Sequence, residues 1–238
     1  MNNTTNASSN LFAGELISSR VHVFVGNYGS GKTELSLNAA LYIASLGYQT
    51  AMIDLDIVNP YFRSADREDK LAAAGVRVIA PIFARTALDI PALPARIQSI
   101  FDDPRERVVI DVGGDDTGAA ALGQFASRLQ GARARVWYVI NACRPLSSDL
   151  GSNLDLMSRI AARARLKPDG IIHNTNLGDS SDARIVSSAH PMLEALSRET
   201  GIPIAAVTGE ERILPSLSDQ EAALFWPIER FMRPEFFD

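Results

Sequence analysis

Cysteine is almost missing from this 238-residue chain: the one copy, Cys143, excludes an intrachain disulfide framework and fits a reducing compartment. Histidine is scarce too, and His22, His173 and His190 stand apart with no Cys/His cluster, so a zinc-type centre is not expected. No apolar run approaches about 18 residues, which leaves no candidate membrane-spanning helix. Basic residues (23) are outnumbered by acidic ones (28), and the net charge of -5 argues against a dedicated nucleic-acid binder. With only 16 Gly and 12 Pro, collagen-like and disordered compositions are excluded as well. No G-x-S-x-G string or acid–His–nucleophile set stands out.

What is present is alternation. Apolar runs at Val21–Val25, Thr50–Asp54, Val76–Ala80, Val108–Val112, Val136–Ile140, Gly170–His173 and Ile204–Val207 read as strands. Between them, Thr33–Leu46, Pro91–Phe101, Ala119–Leu129, Ser148–Leu166 and Ser188–Thr200 read as helices. Buried strands alternating with helices predict βαβ units. We expect one doubly wound α/β domain over residues 20–238, a mostly parallel β-sheet with helices on both faces in three α/β/α layers. Residues 1–19 open with MNNTTNASSN, lack a targeting pattern and read as a polar, flexible tail. Cys143, just after a strand, is expected to behave as a small buried hydrophobe.

Residues 26–33 read GNYGSGKT and match G-x-x-x-x-G-K-[ST] at every fixed position, between a predicted strand and a predicted helix. Gly26, Gly29 and Gly31 let successive N–H groups point inward with no Cβ in the way of a phosphate. The helix that follows adds its N-terminal amides and dipole. Lys32 is positioned to reach β- and γ-phosphates, and the Thr33 hydroxyl to ligate Mg²⁺. The expected cofactor-binding set is therefore Gly26, Asn27, Tyr28, Gly29, Ser30, Gly31, Lys32 and Thr33, with Glu34 in the same first helical turn.

Two acidic segments complete the pattern. Asp111, in VVIDVGG, ends an apolar strand, where a carboxylate holds Mg²⁺ through water; the alternative is a capping aspartate. Asp54 and Asp56, in IDLD, sit two residues apart at the end of another strand, on the sheet edge where ligands collect. Gly113 and Gly114 leave room for backbone to approach a γ-phosphate.

In this order, GNYGSGKT, IDLDIVNPYFR and VVIDVGGDDTG resemble the SIMIBI class of P-loop NTPases, most nearly the ParA/MinD type of ATPase, over Val21 to about Pro215. The resemblance implies bound ATP and Mg²⁺, with Lys32, Asp56 and Asp111 as catalytic residues. It places Asp56 on the attacking water and Asp54 near the metal, beside Thr33 and Asp111. It makes Asn174, at the end of GIIHN, the adenine contact. A guanine reader has N-K-x-D; here the string is NTNL, with Leu177 where the Asp would stand, which favours ATP over GTP. ParA/MinD ATPases carry a lysine directly after the first loop glycine that crosses to a partner's nucleotide; Asn27 occupies that position. Arg63 and Arg144 are the candidate replacement cations.

The function expected is a slow, cytoplasmic ATPase that switches a protein partner and forms a nucleotide-dependent homodimer. A small-molecule kinase or ligase and a non-hydrolysing regulatory module are the alternatives. The aromatic C-terminal stretch, with Pro227 and Pro234, is expected to pack on the core or a partner chain rather than on a membrane.

Overall fold

The computed structural model describes residues 11–56, 65–79, 97, 101, 103–114 and 116–232. Its central strands read as continuous apolar runs because neither face of the sheet meets water. Along β1 (Val21–Gly26), Val21, Val23 and Val25 enter one core cluster while Phe24 enters the other. β5 (Arg135–Ile140) divides its side chains likewise: Val136, Tyr138 and Ile140 on one face, Trp137 and Val139 on the other. The remaining strands are β2 (Thr50–Leu55), β3 (Val76–Ile79), β4 (Arg107–Val112), β6 (Gly170–His173), β7 (Ile204–Gly209) and β8 (Phe225–Pro227). All eight pair in parallel, in the order β3-β2-β4-β1-β5-β6-β7-β8.

Helices cover both faces, as the doubly wound expectation requires. α1 (Leu11–Ser18) and α2 (Lys32–Ser45) pack on one face; α3 (Ala65–Ala73) follows β2. α4 (Asp116–Gly123), α5 (Ala126–Gly131), α6 (Leu150–Ala164) and α7 (Ala183–Thr200) carry side chains into the other cluster. A short α8 (Asp219–Ala223) precedes β8. The connections after β1 and β5 therefore leave on opposite faces and open a crevice at the carboxyl ends of two neighbouring strands.

Several boundaries differ from the sequence reading, each for a local reason. α7 begins at Ala183 because the Asp182 carboxylate caps it, accepting from the Ile185 N–H at 3.0 Å. The single helix expected over 119–129 is two, α4 and α5. A Cβ on Gly123, the last residue of α4, would stand 2.5 Å from the Arg163 carbonyl of α6, so glycine permits that approach.

Residues 11–18 are not a flexible tail: they form α1, with Phe12 and Leu16 buried. Phe12 meets Trp137 and Trp226 edge-on, at centroid distances of 5.0 and 5.1 Å. β8 was not expected either, and it joins the sheet edge beside β7 with Phe225 and Trp226 buried. The expectation that the C-terminal stretch packs on the core holds for Phe225, Trp226 and Ile228, whereas Phe231 and Met232 are exposed; Pro234, Phe236 and Phe237 lie outside the described residues. So do the predicted helix over 91–101, apart from residues 97 and 101, and residues 1–10. Among the described residues no helix is long and apolar enough to cross a membrane.

Candidate functional site

The crevice holds a cavity of about 880 Å³. One end is formed by the glycine loop between β1 and α2. Gly26, Gly29 and Gly31 take φ values of 147°, 71° and 93°. A Cβ on Gly26 would stand 2.3 Å from the Val139 carbonyl, and one on Gly31 would stand 2.2 Å from Asn174 Nδ2. Both positions therefore demand glycine on space as well as torsion. Gly31 caps α2 without a side-chain hydrogen bond, so the first amides of that helix have no side-chain acceptor at the cap. Lys32 is nearly buried, and its Nζ donates to the Asn27 carbonyl at 2.8 Å.

The acidic segments meet the loop. The Thr33 hydroxyl donates to Asp111 Oδ2 at 2.6 Å. Asp111 Oδ1 is buried with no hydrogen-bond partner. Burial pushes the Asp111 carboxyl up to about 6, opposed by the Thr33 hydroxyl and the Lys32 charge. Asp54 is fully buried and lies in register with Asp111 across β2 and β4. Its Oδ1 accepts the Asp56 N–H at 2.8 Å, so it shapes the turn that presents Asp56 to the cavity. Asp54 itself does not line the cavity. Among the described residues, no group of three or more His, Cys, Asp or Glu is arranged to hold a metal ion.

The loop is pinned to the β5–α6 connection from the other side. Asn27 Nδ2 donates to the Pro145 carbonyl and to Ser147 Oγ, both at 2.9 Å, while its Oδ1 accepts the Tyr28 N–H. Arg144 Nε donates to the Gly29 carbonyl at 3.1 Å. The neighbouring Cys143 is exposed, against the expectation of a buried thiol, because this connection runs over the surface. Arg63 lies outside the described residues. Tyr28, within the loop, and Leu146, on the β5–α6 connection, are 68% and 69% exposed.

Asn174 lines the cavity, and its amide also ties the two sides together. Nδ2 donates to the Ser30 carbonyl, and Oδ1 accepts from Thr208 Oγ1, each at 2.8 Å. One amide hydrogen remains for anything in the cavity. Asn141 and Thr175 brace the same strand ends: Asn141 Oδ1 accepts from the Cys143 and Asn176 amides, and Thr175 Oγ1 from the Ala142 amide. No motif marks Asn141, Thr175 or Thr208; a polar residue at the carboxyl end of a parallel strand is the only signal they carry.

The far end of the cavity is apolar. Leu177, Val186, Ile213, Ile228 and Met232 line it, with Thr208, Glu210 and Arg230 among the polar groups. Ile228, Arg230 and Met232 belong to the segment after β8, which crosses to α2. Asn38 holds it by a reciprocal pair: its Nδ2 donates to the Glu229 carbonyl at 2.9 Å, and its Oδ1 accepts the Glu229 N–H at 2.8 Å. Glu34 accepts the Phe231 and Met232 amides. Burial holds the Glu34 carboxyl above its ordinary range, against those two bonds and the Arg230 charge. Arg230 pairs with Asp179 on the turn after β6. Glu34, included in the expected cofactor-binding set, holds the C-terminal segment.

No protein-family model and no curated protein matches the chain. Solved structures do. The cell division protein FtsY of Thermotoga maritima aligns at TM-score 0.53 with 19% identity, over 87% of this chain and 67% of that one. Chloroplast FtsY of Physcomitrella patens aligns at 0.53 with 16% identity, over 79% and 58%. FtsY of Mycoplasma mycoides aligns at 0.51 with 18% identity, over 79% and 59%. This chain thus spans about three fifths to two thirds of the length of these structures. At such identities the likeness shows the fold alone, the parallel α/β sheet with helices described above.

Proposed function

We propose that this chain binds Mg-ATP, hydrolyses it slowly and uses the nucleotide state to switch a protein partner, in the manner of the ParA/MinD type. One observation carries the reading: the Thr33 hydroxyl on Asp111, whose other oxygen is buried and unpartnered, beside the uncapped start of α2. The loop amides and the helix dipole suit phosphates. Lys32, whose Nζ donates to the Asn27 carbonyl within the same loop, is the cation offered to them. Thr33 and Asp111 fit Mg²⁺, which takes few protein ligands and keeps waters, and which neutralises phosphate charge when bound. Asp56 faces the cavity and orients the attacking water, with Asp54 holding the Asp56 backbone.

Leu177, 54% exposed on the cavity wall, offers no carboxylate to a guanine edge, which supports ATP over GTP. Asn174 keeps one amide hydrogen for the adenine. Arg144, already on Gly29, is placed to stand in for the missing signature lysine. Exposed Tyr28, within the loop, and Leu146, beside it, support a nucleotide-dependent homodimer. The net charge of -5 supports a protein rather than a nucleic-acid target in the cytoplasm.

The test is an ATP-binding and turnover assay on wild type, Lys32→Ala and Asp56→Ala. Lys32→Ala is expected to lose binding, and Asp56→Ala to keep binding and lose turnover. Identical background rates in all three, with ATP still bound by wild type, sink the hydrolase. Turnover that rises only when a metabolite is added favours a kinase or ligase, and tighter binding of GTP than ATP overturns the base assignment.

A further inference from the structure

Residues 228–232 run along the cavity, and their two anchoring sides differ. On one side the segment hangs from α2 through Asn38 and Glu34, the residue directly after Thr33. On the other, Arg230 reaches Asp179, and its guanidinium lies close above Gly178, 3.3 Å from where a Cβ would be. The segment therefore spans the far end of the cavity like a strap. The side chains of Ile228 and Met232 line the cavity there, with Leu177 and Ile213. Much of the polar chemistry of the strap is spent on the protein: the Glu229 amide and carbonyl on Asn38, two further amides on Glu34, and Arg230, which also lines the cavity, on Asp179. Ile228 and Met232, with Leu177 and Ile213, then give this end of the cavity an apolar part away from the anion-binding loop. A ligand with an anionic end and a flat, weakly hydrated ring at the other fits that division.

We infer that Ile228–Met232 forms the wall on which the base of the nucleotide packs, so that affinity for the ring system is set by the C-terminal strap while affinity for the phosphates is set by the loop. This rests on the nucleotide reading above and deepens it. The strap also makes the two ends communicate, because Glu34 holds the strap from the same helical turn that presents Thr33. A ring seated against Ile228 and Met232 stabilises the strap, and the strap steadies that first turn.

The experiment compares ATP with inorganic tripolyphosphate, both with Mg²⁺, on the full chain. Ile228→Ala combined with Met232→Ala is expected to weaken ATP about tenfold or more and to leave tripolyphosphate within about twofold. Met232→Ser alone, at a residue 43% exposed, cannot unfold the core and is expected to move ATP in the same direction by a few-fold. ATP binding unchanged in both variants overturns the inference while leaving the nucleotide reading intact. Equal losses of ATP and tripolyphosphate overturn it too, since the strap would then act only on the loop. Wild type that binds neither probe overturns both readings together.

Discussion

The two ends of the cavity are built by opposite means. At the loop end, eight consecutive residues supply nearly everything: torsions only glycine adopts, amides at a helix start, and a lysine already folded over the turn. At the strap end, the contacts join residues far apart in the chain. Asn38 meets Glu229 across 191 positions, and Asp179 meets Arg230 across 51. A local motif holds its shape because neighbouring torsions are mutually constrained. A long-range wall holds its shape only while the rest of the domain is closed. The loop end should therefore fail sharply when a single atom is added, and the strap end should fail gradually.

The largest expected effect is at Gly26. Gly26→Ala puts a Cβ 2.3 Å from a carbonyl of β5, which the sheet cannot move, at a φ of 147°. We expect a loss of about 4 kcal/mol and a melting temperature lower by roughly 10 °C. A melt within about 2 °C of wild type breaks the claim that the loop tolerates no added atom. Next comes Asn174→Ala, at the joint between the two ends. It strands the Ser30 carbonyl in a buried setting and leaves Thr208 Oγ1 only its longer bond to the His173 carbonyl, for about 2 kcal/mol in urea unfolding.

Acid loads both ends, since each is fed by a strand carrying a buried imidazole. Burial lowers His22 on β1 to about 4 and His173 on β6 to about 3, the latter also repelled by His190. A depressed imidazole is protonated first in the unfolded chain, so its contribution is complete above about pH 6.5 and is lost on acidification toward the folded value. At pH 5 each histidine should cost about 2 kcal/mol relative to pH 7. Asp111, raised to about 6, offsets part of this, because its buried carboxyl prefers the proton between about pH 4 and 6. Denaturant titrations at both pH values check the sum, and His173→Asn should flatten the slope; an unchanged slope refutes the assignment. The smallest effect is Asn38→Ala, about 1 kcal/mol, with faster amide exchange at residues 229–232 and, through Glu34, a smaller increase in the first turn of α2. Unchanged exchange in that turn would break the link between the two ends.

The same contrast explains what could be read from the sequence. The sheet was legible because its strands are buried on both faces and run apolar throughout. The loop was legible because its chemistry fixes residue types at fixed spacing, and Asp111 because it ends a continuous apolar strand. α1 was hidden because MNNTTNASSN in front of it is polar, although Phe12 and Leu16 stand at helical spacing. β8 was hidden because three residues ending in Pro227 carry little strand signal, and a proline is admissible only at a strand end or an edge. The anchoring role of Glu34 could not be read at all: its partners lie nearly two hundred residues away, and they are backbone amides, which no side-chain pattern encodes.

The aromatic contact between the two ends of the described chain has a spectroscopic consequence. The protein has two tryptophans, and both touch Phe12. Trp137 lies in the central sheet with its indole N–H on His22, whereas Trp226 lies two residues before the strap begins. Intrinsic emission is thus a built-in reporter: a loosening of the strap should shift the Trp226 component alone, and global unfolding should shift both. Replacing Trp137 with phenylalanine would leave a single fluorophore that reads the strap's position as nucleotide is titrated in.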